Sequence, residues 1–190
     1  MFRLKYVKYE SRKEAARPTP LLTPRRTVQV AKEMRNYNIS LLGLSETRWL
    51  QAGQMRLASG ETLLYSRRTE NSAPHSQGVA LMLAPEAQRA LSGWAPVCPC
   101  RLITTKFETK KSNIKLNVIH CYVPTNDDED EKKHDFYQLQ AVLDKRREKD
   151  IKILMGDFNA NMGSDNTGYD VMGTQGMGKM NENGEHLADL

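Results

Sequence analysis

An α/β domain is what this 190-residue sequence predicts, and three observations carry the prediction. A helical spacing that starts near Thr27 runs straight into a short continuous apolar run from Ile39 to Leu44. Two pairs of strand-like segments, each pair joined by a polar stretch, read as hairpins. A second helical segment then leads into another apolar run, residues 151–155. A helix that feeds a strand buried on both faces is the signature of an α/β arrangement.

Residues 1–25 hold Pro18, Pro20 and Pro24 and a crowd of positive charge, so a basic, poorly ordered leader is expected there, ahead of a domain over 26–190. Val28, Ala31, Met34 and Arg35 set the spacing of a helix over residues 27–36, with Tyr37 closing its apolar face. After the strand at 39–44, residues 62–66 and 78–83 form the first hairpin-like pair, around a polar loop with Pro74 and His75. Residues 102–107 and 114–123 form the second, with the turn at 110–113. The acidic run 127–131 opens a helix through Phe136, Leu139, Val142 and Leu143, closed by Lys145, Arg146 and Arg147, an order that suits the helix dipole. Beyond Ala160, glycines at 163, 168, 173, 176, 178 and 184 mark a long polar loop, after which Glu185, Leu187 and Leu190 begin a helix.

Lys and Arg number 28 against 23 Asp and Glu, a formal charge of +5 with a sequence pI near 9.1, which suits a polyanionic partner without demonstrating one. Three cysteines, Cys98, Cys100 and Cys121, give neither a disulfide framework nor a zinc-type spacing, and no G-x-G-x-x-G or P-loop pattern occurs. With no apolar run of membrane-spanning length and no secretory signal, an intracellular protein without a membrane partner is expected.

Chemistry is expected where polar residues follow buried apolar runs: Glu46 after L-L-G-L-S, Tyr122 after N-V-I-H-C, and Asp157 with Asn159 after I-K-I-L-M-G. Glu46 and Asp157 are hard oxygen donors of the kind Mg²⁺ takes, one or two at a time, together with waters and a substrate phosphate. Asn159 can donate to a phosphate oxygen. Read alone, each has an ordinary alternative. Glu46 fits a solvated loop, Tyr122 a β-favouring aromatic, and G-D-F-N a turn in which Asp157 caps nearby N–H groups and Asn159 tolerates left-handed φ. His134 reads as a surface residue, whereas His120 shares a strand face with Tyr122.

Taken together, L-G-L-S-E-T-R-W at 42–49, C-Y-V-P-T at 121–125 and M-G-D-F-N-A at 155–160 resemble the endonuclease/exonuclease/phosphatase superfamily in order and spacing. The longer wording, with G-V-A-L-M-L-A-P-E-A and M-N-E-N-G-E, is similar to the endonuclease domain of RTE/LINE-type non-LTR retrotransposons and to craniofacial development protein 2-like sequences. The resemblance implies a four-layer α/β sandwich, two packed β-sheets flanked by helices, which the periodicity alone does not show. It implies Mg²⁺ or Mn²⁺ at Glu46 and Asp157, and a catalytic set of Asp157 for the attacking water, Asn159 at the phosphate and Tyr122 beside the scissile bond. DNA as partner and a nuclear location follow from the same likeness, and Asn181 and Asn183 are placed near the nucleic acid.

The departures define a second expectation. Family members open with a strand reading roughly W-N-V-R, whereas P-T-P-L-L-T-P-R-R precedes Thr27 here, and the family's distal Asp and His find no match, His186 included. A partial sandwich lacking its first strand and C-terminal strands is therefore expected, with a Mg²⁺-dependent DNA endonuclease and a catalytically dead remnant that binds nucleic acid or protein as the two readings. A phosphatase of small molecules, using the same ligands, is a third.

Overall fold

The computed structural model describes residues 4–7, 24–47, 52–66, 78–97, 101–123, 129–164, 176 and 178–190. The expected disorder between 8 and 23, the loop with Pro74 and His75, Cys98 and Cys100, Asp127 and Asp128, and the glycine-marked stretch 165–175 lie outside the described residues. The chain divides into two compact units, one of Met1–Tyr122 with Arg146–Gly156 and one of Val123–Lys145 with Asp157–Leu190.

Two packed β-sheets make up the first unit. Strands β1 (Leu4–Val7), β2 (Leu41–Thr47), β3 (Gly53–Arg56), β4 (Thr62–Ser66) and β5 (Gly78–Leu83) form a five-stranded sheet in the order β1-β2-β5-β4-β3. Strands β6 (Leu91–Val97), β7 (Leu102–Glu108), β8 (Lys115–Tyr122) and β9 (Ile151–Asp157) form a four-stranded sheet in that order. The strict alternation of a strand divides the apolar residues between two layers. Leu41, Leu64, Val79, Leu81 and Leu83 face Ile103, Phe107, Leu116, Val118 and Tyr122 of the other sheet. Leu42, Leu44, Leu63, Ala80 and Met82 face the other way, onto Ala31 and Met34 of helix α1 (Pro24–Asn36). Strands β2, β4 and β5 each contribute to both layers, and β5 is buried along its whole length. This is the expected sandwich of packed sheets with helices. Both hairpin-like pairs are also as expected, with β4 antiparallel to β5 and β7 antiparallel to β8.

Several expectations need correction. The first strand is not missing: Leu4–Val7 pairs parallel with Leu41–Leu44 of β2, inside the stretch expected as disordered leader. The alternation L-K-Y-V is a strand pattern, and the surrounding positive charge masked it. The strand holds no asparagine. Helix α1 starts at Pro24 rather than Thr27, because proline is tolerated in a first helical turn, where its missing N–H costs nothing. Its buried face is Thr27, Ala31 and Met34, whereas Val28 and Tyr37, expected inside, are 54% and 62% exposed. Strand β3, the short helix α2 (Pro85–Ala90) and β6 had no sequence expectation.

In the second unit, helix α3 (Glu129–Asp144) buries Phe136, Leu139 and Val142, and Lys145, Arg146 and Arg147 fall beyond its end rather than in its last turn. Helix α4 (Glu182–Ala188) begins earlier than expected, with Asn181 as its N-cap. The imidazole of His186 packs against the ring of Phe136, tilted by 42° with the centroids 5.2 Å apart. Among the described residues no helix is long and apolar enough to cross a membrane.

Candidate active site

In the first unit, Glu46 is not in a loop after β2 but inside the strand. The register of β2 against β5 slips between Leu44, opposite Ala80, and Thr47, opposite Gly78, so that Ser45 and Glu46 together oppose Val79 alone. Glu46 takes φ 59 in this bulge, a left-handed backbone that costs a non-glycine residue about 1–3 kcal/mol. Bulges re-aim side chains, and this one turns a carboxylate that regular alternation would have placed elsewhere. Gly78 allows the slip, since a Cβ there would lie 2.5 Å from the Ser66 carbonyl oxygen and 2.9 Å from that of Thr47. Tyr122, buried at the end of β8, donates its hydroxyl to Glu46 Oε1 at 3.2 Å. That is long for a hydroxyl on a carboxylate, so the pair is aligned rather than locked. The hydroxyls of Ser45 and Thr47, which flank Glu46 in sequence, and that of Ser66 on β4 are buried with no hydrogen-bond partner among the described residues.

His120 is the residue in this unit whose importance sequence reading undervalued. Its ring is fully buried, with Nε2 3.0 Å from the Leu44 carbonyl oxygen on β2 and Nδ1 3.3 Å from that of Met155 on β9. Burial pushes its pKa down to about 4, against the raising effect of the Leu44 and Met155 carbonyls. The available signal was a shared face with Tyr122 at a spacing of two.

The second unit holds Asp157 and Asn159. Asp157 Oδ1 accepts from the Asn159 backbone N–H at 3.1 Å, and Asn159 takes φ 46. The turn expected as the ordinary alternative is therefore present, with the two candidate residues inside it. The Asn159 amide donates to the Val123 carbonyl at 2.8 Å, while the Val123 N–H donates to the Asp157 carbonyl at 2.8 Å. Asn181 and Asn183 turn their amides onto this loop. Asn181 donates to the Asn159 carbonyl at 2.9 Å and accepts the Asn161 N–H at 2.8 Å, and the buried Asn183 donates to the Phe158 carbonyl at 2.8 Å. Gly184 sits where a Cβ would be 2.2 Å from the Asn161 carbonyl oxygen. The M-N-E-N-G-E stretch, placed near nucleic acid by resemblance, thus grips the backbone of F-N-A-N through its side chains.

The four candidates form two pairs, Glu46 with Tyr122 and Asp157 with Asn159, each within its own unit. Among the described residues no group of three or more His, Cys, Asp or Glu could hold a metal ion, so a protein-only cage of the zinc kind is not built from them. Single half-buried carboxylates, such as Glu46 with one oxygen beside a hydroxyl, fit a hard cation that keeps its waters and takes few protein ligands.

The Endonuclease/Exonuclease/phosphatase family matches residues 10–176 of the chain. The chain is also similar to craniofacial development protein 2 of Tragulus javanicus, 31% identical over 170 residues that make up 89% of this chain and 28% of the relative. It thus spans little more than a quarter of the length of that curated relative. Among solved structures it is similar to an endonuclease/exonuclease/phosphatase family protein from Leptotrichia buccalis C-1013-b, with a TM-score of 0.46 and 13% identity over 70% of this chain and 59% of that one. A further likeness is to D. rerio TDP2 complexed with single strand DNA product, with a TM-score of 0.43 and 14% identity over 70% of this chain and 53% of that one. The matched stretch contains Glu46, Tyr122, Asp157 and Asn159, and the chain belongs to the endonuclease/exonuclease/phosphatase family.

Proposed function

We propose that this chain is a DNA-cleaving endonuclease domain that hydrolyses phosphodiester bonds with Mg²⁺ or Mn²⁺, descended from an RTE/LINE-type retrotransposon reading frame and acting in the nucleus. The observation that carries the reading is the alignment of the Tyr122 hydroxyl on the Glu46 carboxylate at a strained bulge, since backbone strain of that kind persists where a side chain must be aimed. Glu46 and Asp157 would hold the cation, which when bound neutralises charge developing on the phosphoryl oxygens. Asp157 orients the attacking water and accepts its proton. Tyr122 directs its hydroxyl at the oxygens around the scissile phosphorus, and Asn159 contacts the phosphate. The basic balance of the chain, formally +5, suits a polyanionic substrate. The retrotransposon origin rests on the wording around the three motifs.

A second reading, a nucleic-acid or protein binding module without turnover, is favoured by one observation. The amides of Asn159, Asn181 and Asn183 are all turned onto backbone carbonyls, where they serve the fold. Nicking of supercoiled plasmid in Mg²⁺ separates the two. For the endonuclease, Asp157→Ala lowers the nicking rate by about three orders of magnitude or more, as removal of one member of a catalytic set commonly does. Equal background from the unaltered chain and the variant would sink the endonuclease reading.

A further inference from the structure

We infer that His120 is a positioning residue for the Glu46 and Tyr122 pair, because its imidazole reaches from β8 to the β2 carbonyl from which the Glu46 bulge departs. The inference rests on the endonuclease reading and adds to it a residue that acts through another.

His120 and Tyr122 lie two apart on β8 and so point the same way. That face meets β2 at two successive points. Nε2 of His120 is 3.0 Å from the carbonyl oxygen of Leu44, and the hydroxyl of Tyr122 is 3.2 Å from Oε1 of Glu46. Leu44 is the last residue of β2 in regular register before the slip, and Glu46 is the left-handed residue within it. A left-handed non-glycine residue persists only while its surroundings over-determine it, so a bond to the carbonyl just before the bulge fixes where the bulge starts. Tyr122 then meets the carboxylate that the bulge delivers.

The sequence is shaped around the ring. A Cβ on Gly43 would stand 2.8 Å from Cε1 and 2.9 Å from Nδ1 of His120, and 2.9 Å from Cε of Met155, so only glycine at 43 admits the imidazole between β2 and β9. A neutral imidazole has a single N–H to donate. Nε2, the nitrogen with the shorter contact, faces Leu44, and burial keeps the ring neutral at physiological pH. An apolar residue of similar size would fill the same space and tie nothing.

The test uses the full chain nicking supercoiled plasmid in Mg²⁺, with kcat and KM measured for His120→Gln, His120→Asn and His120→Leu. A glutamine amide nitrogen falls near the place of Nε2, so His120→Gln keeps kcat within about threefold of the unaltered chain. His120→Leu and His120→Asn lose about tenfold or more in kcat, with KM for the plasmid held within about twofold, the mark of a misplaced group rather than of lost binding. If His120→Leu does not fold, the contrast between the two amides decides, since both are polar and similar in volume. Equal kcat in Gln and Asn, whether high or low, overturns the inference. An unaltered chain no faster than Asp157→Ala overturns the endonuclease reading and this inference with it, an outcome distinct from an active chain indifferent to the residue at 120.

Discussion

The two units present their candidate residues by opposite means. In the first, Glu46 is aimed by a sheet: a bulge in β2, a left-handed backbone and a buried histidine on the facing strand. In the second, Asp157 and Asn159 sit in a turn gripped by asparagine amides from a helix N-terminus more than twenty residues on. A sheet fixes a side chain through many backbone bonds and a packed core, so disturbing it costs the whole unit. A loop held by side chains is fixed by a few bonds that can be removed one at a time. The difference teaches where substitutions should act globally and where locally.

The sharpest way to break that contrast lies at Gly156, on the sheet side. Its φ of +155 and the 2.0 Å separation between a would-be Cβ and the Cys121 carbonyl oxygen leave no room for a side chain against the backbone of β8. Gly156→Ala should destabilise the first unit by about 4 kcal/mol or more, in the range reserved for steric conflict with backbone. Chemical denaturation checks it, and a loss under about 1 kcal/mol would mean β9 is as pliant as the loop that follows it.

Acid probes the same unit less severely. His120 is held neutral with its pKa lowered to about 4 from the ordinary 6.5, so the unfolded chain binds the proton more readily than the folded one. Stability is therefore full above pH 6.5 and declines as pH falls towards 4, by about 3 kcal/mol across that window. Glu61 adds a later loss. Burial alone would raise its carboxyl, but hydrogen bonds from Ser59 and Arg35 outweigh that and hold it below the usual value, so its contribution disappears only as pH falls below the carboxylate range. Denaturant midpoints between pH 7.5 and 4.5 should slope for the unaltered chain and flatten for His120→Gln. Equal slopes would show that another group governs the transition.

How far the sequence disclosed all this follows the same division. The continuous apolar runs of β2 and β5 and the alternation of β7 and β8 were legible because burial on both faces, or on one, writes itself into local order. Strand β3 was not, because an exposed edge such as G-Q-M-R carries no apolar period. Strand β1 was hidden beneath the charges that surround it. Of the candidate site, residue types and order were visible at Glu46, Tyr122, Asp157 and Asn159. The bulge at Glu46 was not, because a slip of register is decided by the partner strand and by Gly78. Nor were the Asn181 and Asn183 grips, since a polar loop reads alike whether its amides face solvent or a neighbouring backbone.

The smallest expected effects lie in that loop and separate its bonds from one another. Asn183 is buried, and Asn183→Ala leaves the Phe158 carbonyl without its donor, a loss of about 1–3 kcal/mol confined to the second unit. Asn181 is exposed and does two jobs: its Oδ1 caps α4 by accepting the Gly184 N–H at 2.8 Å and also accepts the Asn161 N–H, while its Nδ2 donates to the Asn159 carbonyl. Asn181→Asp keeps both acceptor bonds and remains a preferred N-cap, so α4 persists, and only the donor to Asn159 is lost. The expected cost is under about 1 kcal/mol, with amide exchange quickened around residues 159–161 and unchanged in β2, β5 and β8. Protection lost in the sheets as well would mean that loop and sandwich unfold together, and the contrast between the two modes of support would not hold.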